Sequence, residues 1–396
     1  MTQTQKLLIA FGVVAASGFA ASRFTPAAMG GGPTGACRRF AGEQRRTCYS
    51  QLLSDRLKNH GVADAVATLD AMAAADADAA EHAHEYAHGV GIEAFSLSTD
   101  IPATFTACGD GFSSGCRHGV IQAYFESRDH VTQPEVEALC QPFKMPGASR
   151  WVLFQCVHGM GHGLTMLYAH DLPRALTDCD LLSDGWDRES CYGGAFMESV
   201  INATAPHHPA TMLAAHSHHH MTEGKPFKAL DPNDPLYPCS IMADKYLHAC
   251  YQMQTSVMLN LNRGDIGDAA KSCERAPDSV RPLCFQSLGR DITSYTARDP
   301  QKTADLCHKA SEQFLPACYF GAVKALVDWT ATTDAAFPFC RIVGHEAGGP
   351  TCYQALGEEV ATLLAGLPER EEQCLRAQEP DAVNSCRRGA GVPASR

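Results

Sequence analysis

No C-x-x-C pair occurs in this sequence, although it holds 18 cysteines. That absence excludes rubredoxin-type zinc knuckles and thioredoxin-like redox motifs, and the lack of C-x-x-C-H excludes covalently attached c-type haem. No run of Lys or Arg is dense enough to form a phosphate-binding face. Over 396 residues, 32 Lys and Arg stand against 44 Asp and Glu, a formal charge of −12. Nucleic acid is therefore excluded as the main ligand. Beyond the N-terminal segment, no apolar run reaches the roughly 20 residues that a membrane-crossing helix needs. Charged residues are sparse at 19% and apolar ones make up 45%, a globular balance rather than a disordered or fibrous one.

What the chain does have in excess is cysteine and histidine, 18 of each. At the N-terminus, Lys6 precedes an apolar run from Leu7 to Ala20, followed by the small residues Ala21 and Ser22. This pattern reads as an export signal, with residues 1–30 as signal peptide and linker and an uncleaved N-terminal anchor as the alternative. The expected compartment is the periplasm or the cell exterior. It is oxidising, so an even number of cysteines defaults to disulfides.

The cysteines repeat. Read as consecutive pairs, eight of nine are separated by 8 to 12 residues, and Cys140–Cys156 by 16. From Cys250 onward, the second member of each pair recurs every 34 residues, at Cys284, Cys318, Cys352 and Cys386. Backward from Cys116 the same step lands on His82 and then on Cys48. Between Cys116 and Cys250 the steps of 40, 35 and 59 read as insertions on one ruler. A fixed period of 34 marks a stack of helical hairpins, each too small to bury its apolar face alone. In each unit a helix is expected to open at the cysteine, turn at a polar segment such as Asp299-Pro300, and return along a second helix. The bridge would join the end of that second helix to the start of the next unit.

The predicted fold is an all-α, right-handed α-solenoid of about ten such hairpins cross-linked by about nine disulfides. Residues 31–249 would form the histidine-bearing units and 250–386 the C-terminal units, with a disordered tail over 387–396. In period and helix–turn–helix plan the chain resembles the tetratricopeptide class of α-solenoids over about residues 37–386. It departs from that class in its cysteine ladder and in lacking the usual Trp and Gly-Tyr positions. The resemblance implies fold and nothing about activity. The paired H-x-x-x-H and C-x-H-G elements also resemble those of exported bacterial His- and Cys-rich repeat proteins, a likeness that implies no reaction.

In a solenoid, one offset in successive units faces one surface. Two and six residues past each unit-opening position, the chain holds His84 and His88, then His118 and Gln122, then His158 and His162. Residues four apart share a helix face, so five histidines fall in register on three consecutive helices. The bland alternative is a set of buried, hydrogen-bonded core histidines. Five in register favour a metal site. Neighbouring glycines (Gly89, Gly91, Gly119, Gly159, Gly161, Gly163) would leave open space on that face. With the cysteines bridged, an imidazole-rich set suits transition metals, copper or zinc ahead of iron, rather than Mg²⁺ or Ca²⁺.

Glu85, Tyr124 and Glu198 are the candidate catalytic residues, and Gln122 and Glu126 further oxygen partners. His84-Glu85-Tyr86-Ala87-His88 matches H-E-x-x-H, in which Glu85 would be the general base of a zinc hydrolase. The repeat explains both histidines without that chemistry, and Glu93 is not at the spacing of a third protease ligand. A second cluster, His207, His208, His216, His218, His219 and His220, lies in the large insertion and reads either as a lid or as a solvated metal-sticky tract. Gly109–Gly115 reads as a loop between cysteines, without the strand–helix setting that a phosphate loop requires. The leading expectation is an exported metalloenzyme, an oxidoreductase with a mono- or dinuclear polyhistidine centre on the concave face. A periplasmic metal carrier and a helical-repeat interaction scaffold are the alternatives. The C-terminal units, lacking the histidines, are the expected surface for a protein partner.

Overall fold

The computed structural model describes residues 34–98, 100–204 and 227–393. Among these residues there are helices and turns and no strand. The unit-opening helices are Gly42–His60, Ala83–Leu97, Gly115–Glu126, Arg150–Leu167, Gly185–Thr204, Arg281–Tyr295, Leu315–Thr330, Gly349–Leu363 and Pro380–Ala390. The unit at Cys250 opens with two pieces, Leu247–Tyr251 and Gln254–Leu261. The unit without a bridge keeps its place, because a helix starts directly after His82.

The unit-opening cysteines lie inside these helices rather than at their first residue. Cys48, Cys156 and Cys191 each fall in the second turn. A bridge to the preceding helix needs Cα atoms about 5.5–6 Å apart, and a cysteine one turn into the helix meets that reach. All nine bridges join the expected consecutive pairs, with Cα–Cα distances from 5.4 to 5.8 Å. The aromatics beside the cysteines are core. Tyr49 is fully buried, and its hydroxyl donates to Asp76 Oδ2 at 2.9 Å.

Three of the hairpin turns use the same local chemistry. The amides of His170, Gly264 and Arg298 each donate to the carbonyl five residues back, at 2.8 Å. This closes the helix end in a Schellman-type motif with left-handed residues at the turn. An aspartate then caps the second helix: Asp171, Asp265 and Asp299 accept from the backbone amides of Arg174, Asp268 and Lys302. Pro173 and Pro300 fill the first turn, where no amide hydrogen is needed.

Helices from successive units cross closely. A Cβ on Gly91 would lie 2.0 Å from the Cys116 carbonyl oxygen, and one on Gly119 would lie 2.2 Å from that of His88. The same reciprocal contact recurs at Gly161 with Cys191 and Gly194 with His158. These glycines do not leave open space, contrary to expectation. They allow two helix backbones to touch, which no larger residue permits.

The apolar core is continuous from Phe105 to Ala390, with a smaller cluster from Cys37 to Val120. Ala249, Cys250 and Tyr251 belong to the larger cluster, so the division at 249/250 is one of surface chemistry and not of packing. The array curls back on itself. Ser149 Oγ donates to the Thr362 carbonyl at 3.0 Å, and the Leu315–Thr330 helix touches Phe112–Ser114. Residues 387–390, expected in a disordered tail, are helical. Helix continues to Ala390 because Arg387 pairs with Glu371 and Gly389 packs against the Gln354 carbonyl. The segment expected to be an export signal, the tract His207–His220 and residues 394–396 lie outside the described residues.

Candidate metal centre

Four successive helices build the site. The Ala83–Leu97 helix carries His84 and His88, Gly115–Glu126 carries His118, Arg150–Leu167 carries His158 and His162, and Gly185–Thr204 carries Glu198. Each packs on the next, so the offset rule holds and the five rings form one contiguous group. Ring centroids are 4.7 Å apart for His84–His88, 5.7 Å for His88–His118, 5.0 Å for His118–His162 and 5.0 Å for His158–His162. Four of the rings are buried: His88 at 2% exposure, His118 at 4%, His158 at 7% and His162 at 1%. His84 is half-buried.

Nitrogens of His84, His88 and His118 all lie within 4.8 Å of one another, a separation from which all three could ligate a single metal ion. The donor chemistry fits such an ion. A ligating imidazole ordinarily holds its second ring nitrogen on a protein acceptor, which fixes the tautomer and orientation of the first. His84 Nδ1 is 2.7 Å from the Phe112 carbonyl and His118 Nε2 is 2.9 Å from Gln155 Oε1. His162 Nδ1 is 2.9 Å from Glu198 Oε2, and the His158 ring bonds the backbone of Ser190. The opposite nitrogens, His118 Nδ1, His158 Nδ1 and His162 Nε2, are buried without a hydrogen-bond partner, as is Gln122 Oε1. A buried polar atom left in this way costs about 1–3 kcal/mol. Buried unpaired nitrogens are what an incoming metal ion would satisfy.

The electrostatics point the same way. Burial, followed by the charges that His162, His158 and His84 would carry, holds His118 well below its ordinary value, against the Gln155 hydrogen bond. Burial and His162 lower His158 to about 3, against the Ser190 backbone bond. Both rings are therefore neutral near pH 7, the form that binds metal.

The candidate catalytic residues fall in different places. Glu198 is fully buried and orients His162. Glu85 lies one residue, about 100° of helix, from His84, and its carboxylate is 3.2 Å from His82 Nδ1. Tyr124 packs edge-on against Phe125 under the Arg128 guanidinium, which is 3.4 Å from its ring centre. The expected oxygen partners Gln122 and Glu126 bond to each other at 2.9 Å.

Sequence reasoning missed Gln155 and the Phe112 carbonyl. Gln155 had one available signal, its place directly before a unit-opening cysteine. Phe112 had none. Gly111-Phe112-Ser113-Ser114-Gly115 does carry G-x-S-x-G spacing, but no strand precedes it among the described residues. It forms a short left-handed turn, with φ of 54°, 49° and 57° at Phe112, Ser113 and Ser114, which aims the Phe112 carbonyl at His84. No family model, curated protein or solved structure matches the chain.

Proposed function

We propose that this chain is an exported metalloenzyme, an oxidoreductase, whose transition metal is held by His84, His88 and His118. The observation that carries the reading is the cluster of three ligand nitrogens within 4.8 Å, two of the rings buried and two pinned through their second nitrogen. Nine disulfides suit an oxidising compartment. Among the described residues, no helix is long and apolar enough to cross a membrane.

Burial and second-nitrogen pinning favour an enzyme over a carrier. A carrier must release its ion and gains from mobile, exposed ligands. A structural role for the metal is disfavoured at the helices of His118 and His158, which disulfides already tie to the helices before them; the unit at His82 lacks such a bridge. Three imidazole ligands leave coordination positions open for substrate or dioxygen. A copper or iron ion in such a set would supply one-electron chemistry, and zinc would supply an activated water. The protein's own part is to orient the rings and, by burial, to hold His118 neutral. Phe112 and Gln155 fix two of them, and the closely packed helices Ala83–Leu97 and Gly115–Glu126 limit the approach of water. Glu85 is a weaker base candidate than H-E-x-x-H spacing suggests, since it already faces His82. This favours redox over hydrolytic chemistry.

The test is to purify the protein from its native compartment and follow its metal by electron paramagnetic resonance. A stoichiometric ion reduced by ascorbate and reoxidised by air is expected. A redox-silent zinc ion as the only metal would replace the oxidoreductase with a hydrolytic enzyme. No metal would end the metalloenzyme reading.

A further inference from the structure

Beyond the triad, the same face repeats its ligand geometry one step along the array. His158 and His162 are four residues apart on the Arg150–Leu167 helix, with ring centroids 5.0 Å apart, against 4.7 Å for His84 and His88. The second pair is more buried than the first, at 7% and 1% exposure, since His84 is half-buried. Each ring has one nitrogen held by the protein, His162 by Glu198 and His158 by the Ser190 backbone. Each has its other nitrogen buried and unpaired, His158 Nδ1 and His162 Nε2. Gln122 Oε1, on the neighbouring helix at the offset equivalent to His162, is a third buried acceptor without a partner.

His118 does not absorb this pair into the first site. Its Nε2 is committed to Gln155, which leaves only Nδ1 to ligate, and one nitrogen serves one ion. Space is also present where the second pair needs it. The next unit has glycine at the offset that holds histidine in the three units before it. A Cβ on Gly193 would lie 3.6 Å from His158 Nδ1, so any side chain there would occupy the volume beside that nitrogen.

We propose that His158 Nδ1 and His162 Nε2, with Gln122 Oε1, form a second transition-metal position beside the His84–His88–His118 site, in the opening left by Gly193. This rests on the reading of the triad as a metal site. Glu198, which accepts from His162 Nδ1, is the positioning residue of the second ion and not its ligand. Two adjacent ions would let the centre take up two electrons, or bind one small molecule between them.

The test is metal stoichiometry of the full-length mature protein after copper or zinc loading and removal of loose metal with a weak chelator. It is repeated with His207, His208, His216, His218, His219 and His220 all replaced by Ala, so that the insertion does not contribute. Two equivalents are expected in both proteins, falling to one in H158A/H162A and to one in H84A/H88A. One equivalent at saturation in the otherwise unchanged protein overturns the second position while leaving the triad intact. Zero overturns both. Should the double variants fail to fold, Gly193→Val provides a milder probe. It is expected to remove one equivalent and keep the helical circular dichroism, and two equivalents retained in a folded Gly193→Val protein would overturn the proposal.

Discussion

In the units that open at Cys250, Cys284 and Cys318, Ser256, Arg290 and Lys324 hold the offset of His88 and His162, and they and the residues around them bond to one another. Thr255 Oγ1 lies 2.6 Å from Ser287 Oγ and donates to Asp291 Oδ2 at 2.7 Å. Arg290 Nη2 reaches Asp291 Oδ1 at 2.6 Å, and Lys324 meets Glu359 at 3.3 Å. At that offset and four residues before it, the units opening at Cys116 and Cys156 bury His118 Nδ1, Gln122 Oε1, His158 Nδ1 and His162 Nε2 without partners. The scaffold is common to both regions, down to the glycine that lets Cys191 or Cys318 touch the preceding helix. The regions differ in whether their polar groups are satisfied internally. A closed network stabilises the fold by itself, whereas buried unpaired imidazoles detract from stability until a ligand arrives. That contrast supports placing the proposed metal in the N-terminal units, with the C-terminal units as frame.

The largest expected effect tests whether the scaffold is in fact shared. Gly161 and Gly289 occupy the same offset, with Cβ positions 2.0 and 1.9 Å from a carbonyl oxygen. Gly161→Ala and Gly289→Ala should each destabilise by about 3 kcal/mol, because two backbones must separate. Thermal unfolding checks this, and a large cost at one site only would break the equivalence. Next in size is stabilisation by metal, about 2.7 kcal/mol at a free concentration 100 times the Kd. It should vanish in H84A/H118A. It should persist in Asp291→Ala, which opens the C-terminal network at a cost of about 1–3 kcal/mol. Melting with and without metal separates the two regions.

Smaller still, Glu198→Gln should weaken binding of the second equivalent of metal 10- to 100-fold by loosening His162, with little change in the melting of the metal-free protein. A competition titration measures it, and unchanged affinity would detach Glu198 from the centre. The smallest effects are on pH dependence, where the regions have opposite signs. His118 and His158 are depressed, so their contribution to the metal-free fold is present above the ordinary histidine value. It is lost as pH falls from about 6.5 towards about 3 for His158. Burial and the Glu359 charge raise the Asp328 carboxyl, against Lys324 and Arg290. Its contribution is therefore present at low pH and is lost as pH rises above the ordinary carboxylate range. His158→Gln should flatten the acid-side slope of melting temperature, and Asp328→Asn the opposite one.

Much of this was legible from spacing. The period of 34, the consecutive bridges and the shared helix face of His84, His88, His118, His158 and His162 all follow from offsets along the chain, because a solenoid converts sequence register into spatial position. Glu198 was legible for the same reason, one step past the offset. The glycines were not. A helical glycine signals either open space or close approach, and only the neighbouring backbone, such as the Cys116 carbonyl facing Gly91, decides which. Nor did spacing show that His84, His88 and His118 draw together as one ligand set. Ring tautomers depend on partners such as Phe112 and Gln155, which sit outside the repeating offsets. The H-E-x-x-H spacing pointed to Glu85 as a base, yet the side chain that meets it is His82.

The most direct test of the central claim is anomalous diffraction at the edge of the metal found in crystals of the natively purified protein. We expect a peak among His84, His88 and His118. Ordered rings with no anomalous peak between them, in a crystal whose metal scatters from another part of the chain, would contradict the account.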